Sequence, residues 1–177
     1  RSEKCKHIWF PFSIDPNQFS GYPSFTRKNK VCFVGSCGSD VYKWRRLAIE
    51  QLSKEGLIDV FCKNEKVGID YIDTLRSYTC HLAGTLIYDT TPSKIFEIMA
   101  TGGVLLVNTT KQLRKLFPRG GYIDYNENSV VKVVKDFLRD YQDLQRYYST
   151  LAIKDIMEKH THEIRIKQLL NILENRI

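Results

Sequence analysis

Residues 91–108, TPSKIFEIMATGGVLLVN, decide the fold, because they predict a helix that leads directly into a buried strand. Thr91 is a suitable N-cap, and Pro92 suits the first helical position. Apolar residues follow at helical spacing, and a Gly-Gly pair ends the helix. The residues at 104–108 are almost wholly apolar, as in a strand that is covered on both faces. The stretch therefore predicts one helix–strand unit of an α/β sheet.

The start of this helix also carries the parts of an anion-binding site. Free backbone N–H groups, the hydroxyl of Ser93 and the cation of Lys94 are grouped there. Glu97 lies about one turn further on, where the positive end of the helix dipole favours a carboxylate. The alternative is an ordinary capped helix whose acid and base face the solvent. This stretch alone leaves both interpretations open.

The same alternation of strands and helices extends outward from this unit. Apolar runs bounded by turn residues predict strands at 30–34, 57–62, 85–88, 104–108 and 121–125. Helical spacing predicts helices at 41–55, 70–77 and 112–116, and then at 129–140, 143–160 and 162–175. Strands that alternate with helices indicate βαβ units. The predicted fold class is therefore α/β, a Rossmann-like parallel sheet with helices on both faces and a helical C-terminal segment.

Composition bounds the class of protein and its partners. The chain has 177 residues, of which 42% are hydrophobic and 27% charged, as in a globular domain with a real core. The formal net charge of +7 favours an anionic partner, which means nucleic acid, anionic lipid or a phosphorylated small molecule. Lys and Arg are spread along the chain, so nucleic acid is not expected. No apolar run is long enough for a transmembrane segment.

The cysteines and histidines predict neither a disulfide framework nor a metal site. The five cysteines are scattered without a C-x-x-C pair, and Cys32 and Cys62 lie inside apolar runs as buried thiols do. This pattern favours a reduced, cytoplasmic protein. His160 and His162 flank one residue, and such a pair can bind a metal. A junction between two helices is expected there instead.

A crevice is predicted where the strands end. Ligands of parallel α/β sheets bind beyond the carboxyl ends of the strands. That rule brings the turn at Gly35 and Ser36 together with the helix start at Ser93 and Lys94. Small residues in such a turn let phosphate approach the backbone, although this turn matches neither a Walker loop nor G-x-G-x-x-G. Arg45, in the next helix, reaches either this crevice or the solvent.

A second carboxylate stands near the crevice in sequence. Asp89 lies eight positions before Glu97. Asp89 is predicted on a loop and Glu97 on the helix, so both side chains are candidates for the same site. A carboxylate accepts two hydrogen bonds from the paired hydroxyls of a sugar or a ribose. The alternative for Asp89 is that it starts a turn.

These motifs resemble the C-terminal, donor-binding half of a GT-B glycosyltransferase. More narrowly, the chain is similar to the group-1-like, CgeB-type (spore-maturation-protein-like) family over nearly its whole length. SKIFEIMATGG at 93–103 resembles the central motif of that family, and FVGS at 33–36 resembles its first strand and turn. WFPFSIDP at 9–16 resembles its opening segment, and His160 to Arg165 resembles its closing helix.

The resemblance implies a role for individual residues. Glu97 would hold the ribose hydroxyls of the donor, and the helix start with Lys94 would hold the diphosphate. Asp89 stands where the wider retaining group has an acid that faces the sugar, usually Glu, and Lys94 replaces the usual Arg. Asp89 and Lys94 are the candidates for a catalytic residue, which the sequence does not otherwise identify. The donor-binding candidates are Gly35, Ser36, Arg45, Asp89, Thr91, Ser93, Lys94 and Glu97.

The resemblance also implies the domain organisation and the activity. It divides the chain into an opening segment and loop at 1–29 and a nucleotide-sugar-binding domain at 30–177, with an acceptor-binding half upstream of Arg1. It implies metal-independent transfer of a sugar from a UDP- or GDP-type donor to a hydroxyl acceptor such as a glycan, without a cofactor. The alternative is a non-catalytic nucleotide- or sugar-binding module, or a protein-interaction module, of a larger protein.

Overall fold

The computed structural model describes residues 8–19, 27–37, 42–62, 65–84 and 90–174. Within these ranges, strands alternate with helices as far as residue 124, and helices follow, as the sequence predicts. In chain order the elements are α1 (Pro16–Phe19), β1 (Lys28–Val34), α2 (Lys43–Lys54), β2 (Ile58–Phe61), α3 (Gly68–Ser77), β3 (Tyr78–Leu82), α4 (Ser93–Ala100), β4 (Val104–Val107), α5 (Lys111–Leu116), β5 (Tyr122–Asp124), α6 (Val130–Arg139), α7 (Tyr141–Lys159) and α8 (His162–Glu174).

The described strands form one parallel sheet in the order β2-β1-β3-β4-β5. This confirms the predicted α/β parallel sheet. From β1 the chain passes to β2 on one side, and then to β3 on the other side of β1. The carboxyl ends of β1 and β3 therefore form a topological switch point, which is where such sheets bind ligands.

Helices cover both faces of the sheet, as predicted. On one face, Leu52 of α2 and Phe137 of α6 belong to a buried cluster with Leu106 of β4. On the other face, Phe96 of α4 and Ile156 of α7 belong to a cluster with Leu105. Because neighbouring residues of a strand point to opposite faces, β4 is buried on both sides.

The strand β3 is missing from the sequence prediction. The apolar pattern places a strand at 85–88, which lies outside the described residues, and assigns no strand to 78–82. The observed strand reads YTCHL and is buried throughout, including Thr79 and His81. Its polar residues interrupt the apolar run that identifies a buried strand. The ring of His81 lies against Gly103, where a Cβ atom would come within 2.6 Å of the ring.

The predicted start of α4 is wrong by one residue. Pro92 is the N-cap, and the helix begins at Ser93, so Thr91 lies before the cap. The hydroxyl of Thr91 is buried and caps nothing, while its backbone N–H donates to Oε1 of Gln112 at 2.7 Å. A proline at the cap leaves the first turn of α4 without a capping side chain. The first backbone N–H groups of the helix therefore lack a side-chain acceptor there.

Two of the cysteines are paired, which corrects the expectation that Cys62 is a buried thiol. Cys37, in the turn after β1, forms a disulfide with Cys62, which follows β2. Spacing could not reveal this pair, because 25 positions separate the two cysteines and two parallel strands bring them together. Cys32 and Cys80 are buried free thiols, and burial raises the pKa of the Cys32 thiol to about 12.

Reduction of the Cys37–Cys62 disulfide should lower the free energy of unfolding by about 3 kcal/mol, because the unfolded chain then loses its closed loop. Urea unfolding with and without a dithiol reductant measures this difference. In the Cys37→Ser variant the reductant should have no effect on the midpoint. An unchanged midpoint for the unaltered chain would contradict the pairing.

The opening segment is tied to the junction of α7 and α8. Ile14 donates its N–H to the carbonyl of His160 and accepts from the N–H of His162, both within 3.0 Å. His160 donates from Nε2 to the carbonyl of Leu116 and accepts at Nδ1 from Arg165. His162 instead bonds to the hydroxyl of Ser13. The predicted helix junction is confirmed, and the two imidazoles have different partners.

Two buried histidines make the fold sensitive to acid. Burial, together with the charges of nearby Arg27 and Arg165, lowers the pKa of His81 to about 3 and that of His160 to about 4. In the unfolded chain both imidazoles take up a proton near pH 6.5, whereas in the folded chain they stay neutral. The free energy of unfolding therefore has its full value above pH 6.5 and falls as the pH decreases towards 4. At pH 5.5 the expected loss is about 1.4 kcal/mol for each histidine.

Urea unfolding at pH 7.5 and pH 5.5 tests this loss. The change between the two pH values should be about halved in His81→Leu. It should persist in His162→Gln, which alters an exposed histidine. Equal pH dependence in the unaltered chain and in His81→Leu would contradict the assignment.

In the ranges that the structure describes, no helix combines the length and the apolar character needed to cross a membrane.

Candidate functional site

A cavity of about 230 Å³ lies at the switch point of the sheet, between the carboxyl ends of β1 and β3 and the start of α4. The strands supply its floor, α4 supplies one wall, and α2 supplies the opposite wall. Its described lining holds two cations and no acid. The lining residues are Ser36, Tyr42, Arg45, Ala83, Gly84, Pro92, Ser93 and Lys94.

Lys94 turns from the first turn of α4 towards the end of β1. Its ammonium donates to the carbonyl of Val34 and lies 5.7 Å from the ring centroids of both Phe33 and Tyr71. Gly35 leaves room for it, since a Cβ atom at Gly35 would lie 2.5 Å from Nζ, and its φ of +146° also favours glycine. Burial lowers the pKa of Lys94, and the charge of Arg45 lowers it further.

Arg45 enters the same cavity from α2 and is only 9% exposed. Its guanidinium donates to the carbonyl of Ser36 at 2.5 Å. It also lies over the ring of Tyr42, 3.7 Å from the centroid, and over Phe33 at 4.9 Å. Burial lowers its pKa. Of the two predicted orientations, the one that faces the crevice is therefore the observed one.

The two cations stand close enough to repel each other, and Glu97, which lies off the cavity wall, compensates only part of that repulsion. Arg45 lowers the pKa of Lys94, yet neither side chain forms an ion pair with any described residue. Partly buried charges that remain unpaired cost free energy. A bound anion would remove that cost. The cavity is thus electrostatically prepared for an anion that is not part of the chain.

The start of α4 adds hydrogen-bond donors to this cavity. The N–H of Ile95 is bonded to the carbonyl of Pro92. Ser93 and Lys94 precede it and line the cavity, so their backbone N–H groups lie at the positive end of the helix dipole. The hydroxyl of Thr91, 6% exposed, has no partner among the described residues. Cations, helix dipole and free donors together suit phosphate.

Glu97 lies one turn further along α4 and is held by a residue of α3. The hydroxyl of Tyr71 donates to its Oε2 at 2.5 Å. Burial, followed by the charge of Glu97, raises the pKa of Tyr71. Glu97 is not on the cavity wall, but Lys94 of the same helix is. The carboxylate is partly exposed beside the anion-directed cavity.

The structure brings together most of the predicted site. Gly35, Ser36, Arg45, Ser93 and Lys94 meet at the cavity, and Glu97 lies next to it. Thr91 stands beside the helix start rather than on the cavity wall, and Asp89 lies outside the described residues.

Three contributors are absent from the sequence prediction. Tyr42 stacks on Arg45, Gly84 follows the unpredicted strand β3, and Tyr71 holds Glu97. An aromatic residue one turn before an arginine is a weak signal for Tyr42. Nothing in the spacing indicates Tyr71, because its partner lies 26 positions away.

Within the described ranges, no group of three or more His, Cys, Asp or Glu side chains is placed to hold a metal ion.

The architecture of the chain matches a known fold. A parallel Rossmann-like sheet with this arrangement of helices is found in the solved structures of GT-B glycosyltransferases. The pneumococcal O-GlcNAc transferase GtfA, solved with UDP and GlcNAc, is similar with a TM-score of 0.62, 14% identity and coverage of 98% of this chain and 40% of that chain. A mutant TarM of S. aureus, solved with fondaparinux, α-GlcNAc-glycerol and UDP, is similar with a TM-score of 0.57 and 13% identity. The match covers 86% of this chain and 37% of that chain. At such identities the likeness shows the fold alone.

The sequence then identifies the family. A model of the glycosyl transferase-like family matches residues 26–171, so the chain belongs to this family. A search of curated protein sequences finds no significant match. A third similar structure, the GtfA/B complex, has a TM-score of 0.60 at 12% identity, with coverage of 93% of this chain and 39% of that chain. The chain thus spans 37–40% of the length of these three similar chains.

Proposed function

We propose that the chain is the donor-binding half of a glycosyltransferase and that its cavity holds the diphosphate of a nucleotide sugar. The observation that carries the proposal is the meeting of Arg45 and Lys94 at the start of α4, in a cavity whose described lining contains no acid. A diphosphate supplies the missing negative charge and several acceptors for the backbone N–H groups. The family and the UDP complexes of similar structures support the same ligand class.

Each group then has a chemical role. Transfer of the sugar breaks its bond to the nucleoside diphosphate, and the departing oxygen gains negative charge. In this proposal, Lys94 and the helix N-terminus stabilise that charge without a metal. Arg45 neutralises the second phosphate. Glu97 accepts hydrogen bonds from the ribose hydroxyls, and Asp89 contacts the transferred sugar.

The proposal includes a partner half and an acceptor. An acceptor-binding half upstream of Arg1 would supply a hydroxyl acceptor, such as a glycan, and any catalytic base. The opening segment and the exposed apolar side chains of α8 would contact that half; Trp9, Phe12, Leu169 and Leu173 are exposed. The narrower likeness to the CgeB type is part of the same proposal.

We also propose a cytoplasmic location, which the scattered cysteines of the sequence favour. The Cys37–Cys62 disulfide is the observation against this location, because disulfides are rare in reducing compartments. Trapping of thiols in intact cells tests the location. Free thiols at both positions support it, and a disulfide contradicts it.

Titration calorimetry of the chain with UDP and GDP tests the proposed function. One nucleotide should bind with heat that is lost in Arg45→Met, while Arg46→Met, the neighbouring but exposed arginine, should bind normally. Absence of binding by both nucleotides would contradict the proposal and favour a protein-interaction module.

A further inference from the structure

We propose that Tyr71 is a positioning residue that holds Glu97 ready for the ribose of the donor. This inference rests on the proposed function and assigns to α3 a part in donor recognition. Tyr71 contacts both charged side chains that α4 directs towards the donor. Its hydroxyl donates to Glu97 at 2.5 Å, and its ring centroid lies 5.7 Å from the ammonium of Lys94.

The contact with Tyr71 fixes one oxygen of the carboxylate and leaves the other free. The hydroxyl of Tyr71 is bonded to Oε2, and no described residue donates a hydrogen bond to Oε1. A carboxylate accepts about two hydrogen bonds at each oxygen, so acceptor sites remain for a pair of hydroxyls. The bond from a neutral phenol orients the acid without neutralising it. Burial of Tyr71, together with the charge of Glu97, raises the pKa of the phenol and keeps it a donor.

Glu97 and the nearest cation are held by different partners. Lys94 and Glu97 stand three residues apart on α4, a spacing at which opposite charges commonly pair. The structure contains no ion pair between these two described residues, because Lys94 donates to the carbonyl of Val34 and Glu97 accepts from Tyr71. Lys94 keeps its own bond to Val34 when the phenol is removed, so the diphosphate subsite does not depend on the hydroxyl of Tyr71. The phenol therefore fixes the position of Glu97 without altering the cation.

The chain contains a second bond between a tyrosine and a carboxylate, and that bond has a purely structural role. Tyr78 makes the same kind of bond to a carboxylate, donating to Oδ2 of Asp59 at 2.8 Å. That pair lies at the start of β3, away from the carboxyl ends of the strands, and Lys28 and Lys30 already neutralise Asp59. Tyr78 thus stabilises a cluster of ion pairs that lies away from the cavity. Tyr71 holds an acid that has no ion-pair partner among the described residues, beside the cavity.

Tyr71→Phe keeps the ring and removes only the hydroxyl, and Tyr78→Phe is its matched control. Calorimetry with the nucleotide that binds the unaltered chain, UDP or GDP, should show about a tenfold loss of affinity for Tyr71→Phe. Affinity for inorganic pyrophosphate should not change. In the Glu97→Gln background, Tyr71→Phe should cause no further loss, because it acts through the carboxylate. Tyr78→Phe should bind the nucleotide normally.

The outcomes separate this inference from the proposed function. In one outcome Tyr71→Phe lowers nucleotide affinity by the same factor in the unaltered chain and in Glu97→Gln; in another it lowers pyrophosphate affinity as well. Either result would show a general structural effect and overturn the positioning role. Unchanged nucleotide affinity in Tyr71→Phe would overturn it as well and leave the proposed function intact. Absence of nucleotide binding by the unaltered chain would overturn both.

Discussion

Replacement of Lys94 by methionine should weaken nucleotide binding by on the order of a hundredfold or more, because it removes one partner of a partly buried charge pair. Methionine retains the apolar stem that packs near Phe33 and Tyr71 but removes the ammonium. Arg45 alone would then face the diphosphate. Because the contact with Lys94 is to phosphate, the loss should appear equally with UDP or GDP and with inorganic pyrophosphate, as measured by calorimetry.

Lys132→Met makes the same change at an exposed position of α6 and should bind both ligands normally. The thermal unfolding midpoint of Lys94→Met should change little, because the lost hydrogen bond to the carbonyl of Val34 offsets the relief of removing a partly buried ammonium. Normal pyrophosphate affinity in Lys94→Met would show that the cavity is not the diphosphate site.

Replacement of Glu97 by glutamine should reduce the affinity for the nucleotide by on the order of a hundredfold, through two weakened hydrogen bonds from the ribose. The amide keeps the shape of the side chain but loses the negative charge. Pyrophosphate has no ribose, so its affinity should not decrease. This difference between the two ligands distinguishes Glu97 from Lys94, which should affect both.

Glu163→Gln, in the first turn of α8, is the control for the charge change. It removes an exposed carboxylate that pairs only with exposed Lys167 among the described residues, and nucleotide affinity should be unchanged. A Glu97→Gln variant that loses pyrophosphate as well as nucleotide would assign Glu97 to the general electrostatics of the cavity, contrary to a ribose contact.

Much of the fold could be predicted because its strands bury apolar runs. The four residues of β4 are all apolar and all buried, and the strand ends where the run ends. The helix start at Ser93 and the turn at Gly35 could be placed in one crevice from a rule about parallel sheets, without distances. The site residues nearest these strand ends were accordingly predicted from sequence.

The remainder depends on contacts between segments that lie far apart in the chain. β3 buries His81 and Thr79, so its composition hides it from an apolar pattern. The pairing of Cys37 with Cys62 needs two adjacent parallel strands. Tyr71 reaches Glu97 only because α3 packs beside α4. Burial of Arg45 depends on the rotation of α2 about its axis, which spacing leaves open.

A crystal structure of the chain with the bound nucleotide, UDP or GDP, tests the central claim most directly. The diphosphate should lie between the ammonium of Lys94, the guanidinium of Arg45 and the backbone N–H groups of Ser93 and Lys94, with the ribose hydroxyls on Glu97. A nucleotide bound elsewhere, for example in the groove between Trp9 and Arg165, would contradict the claim, because that groove shares no residue with the cavity.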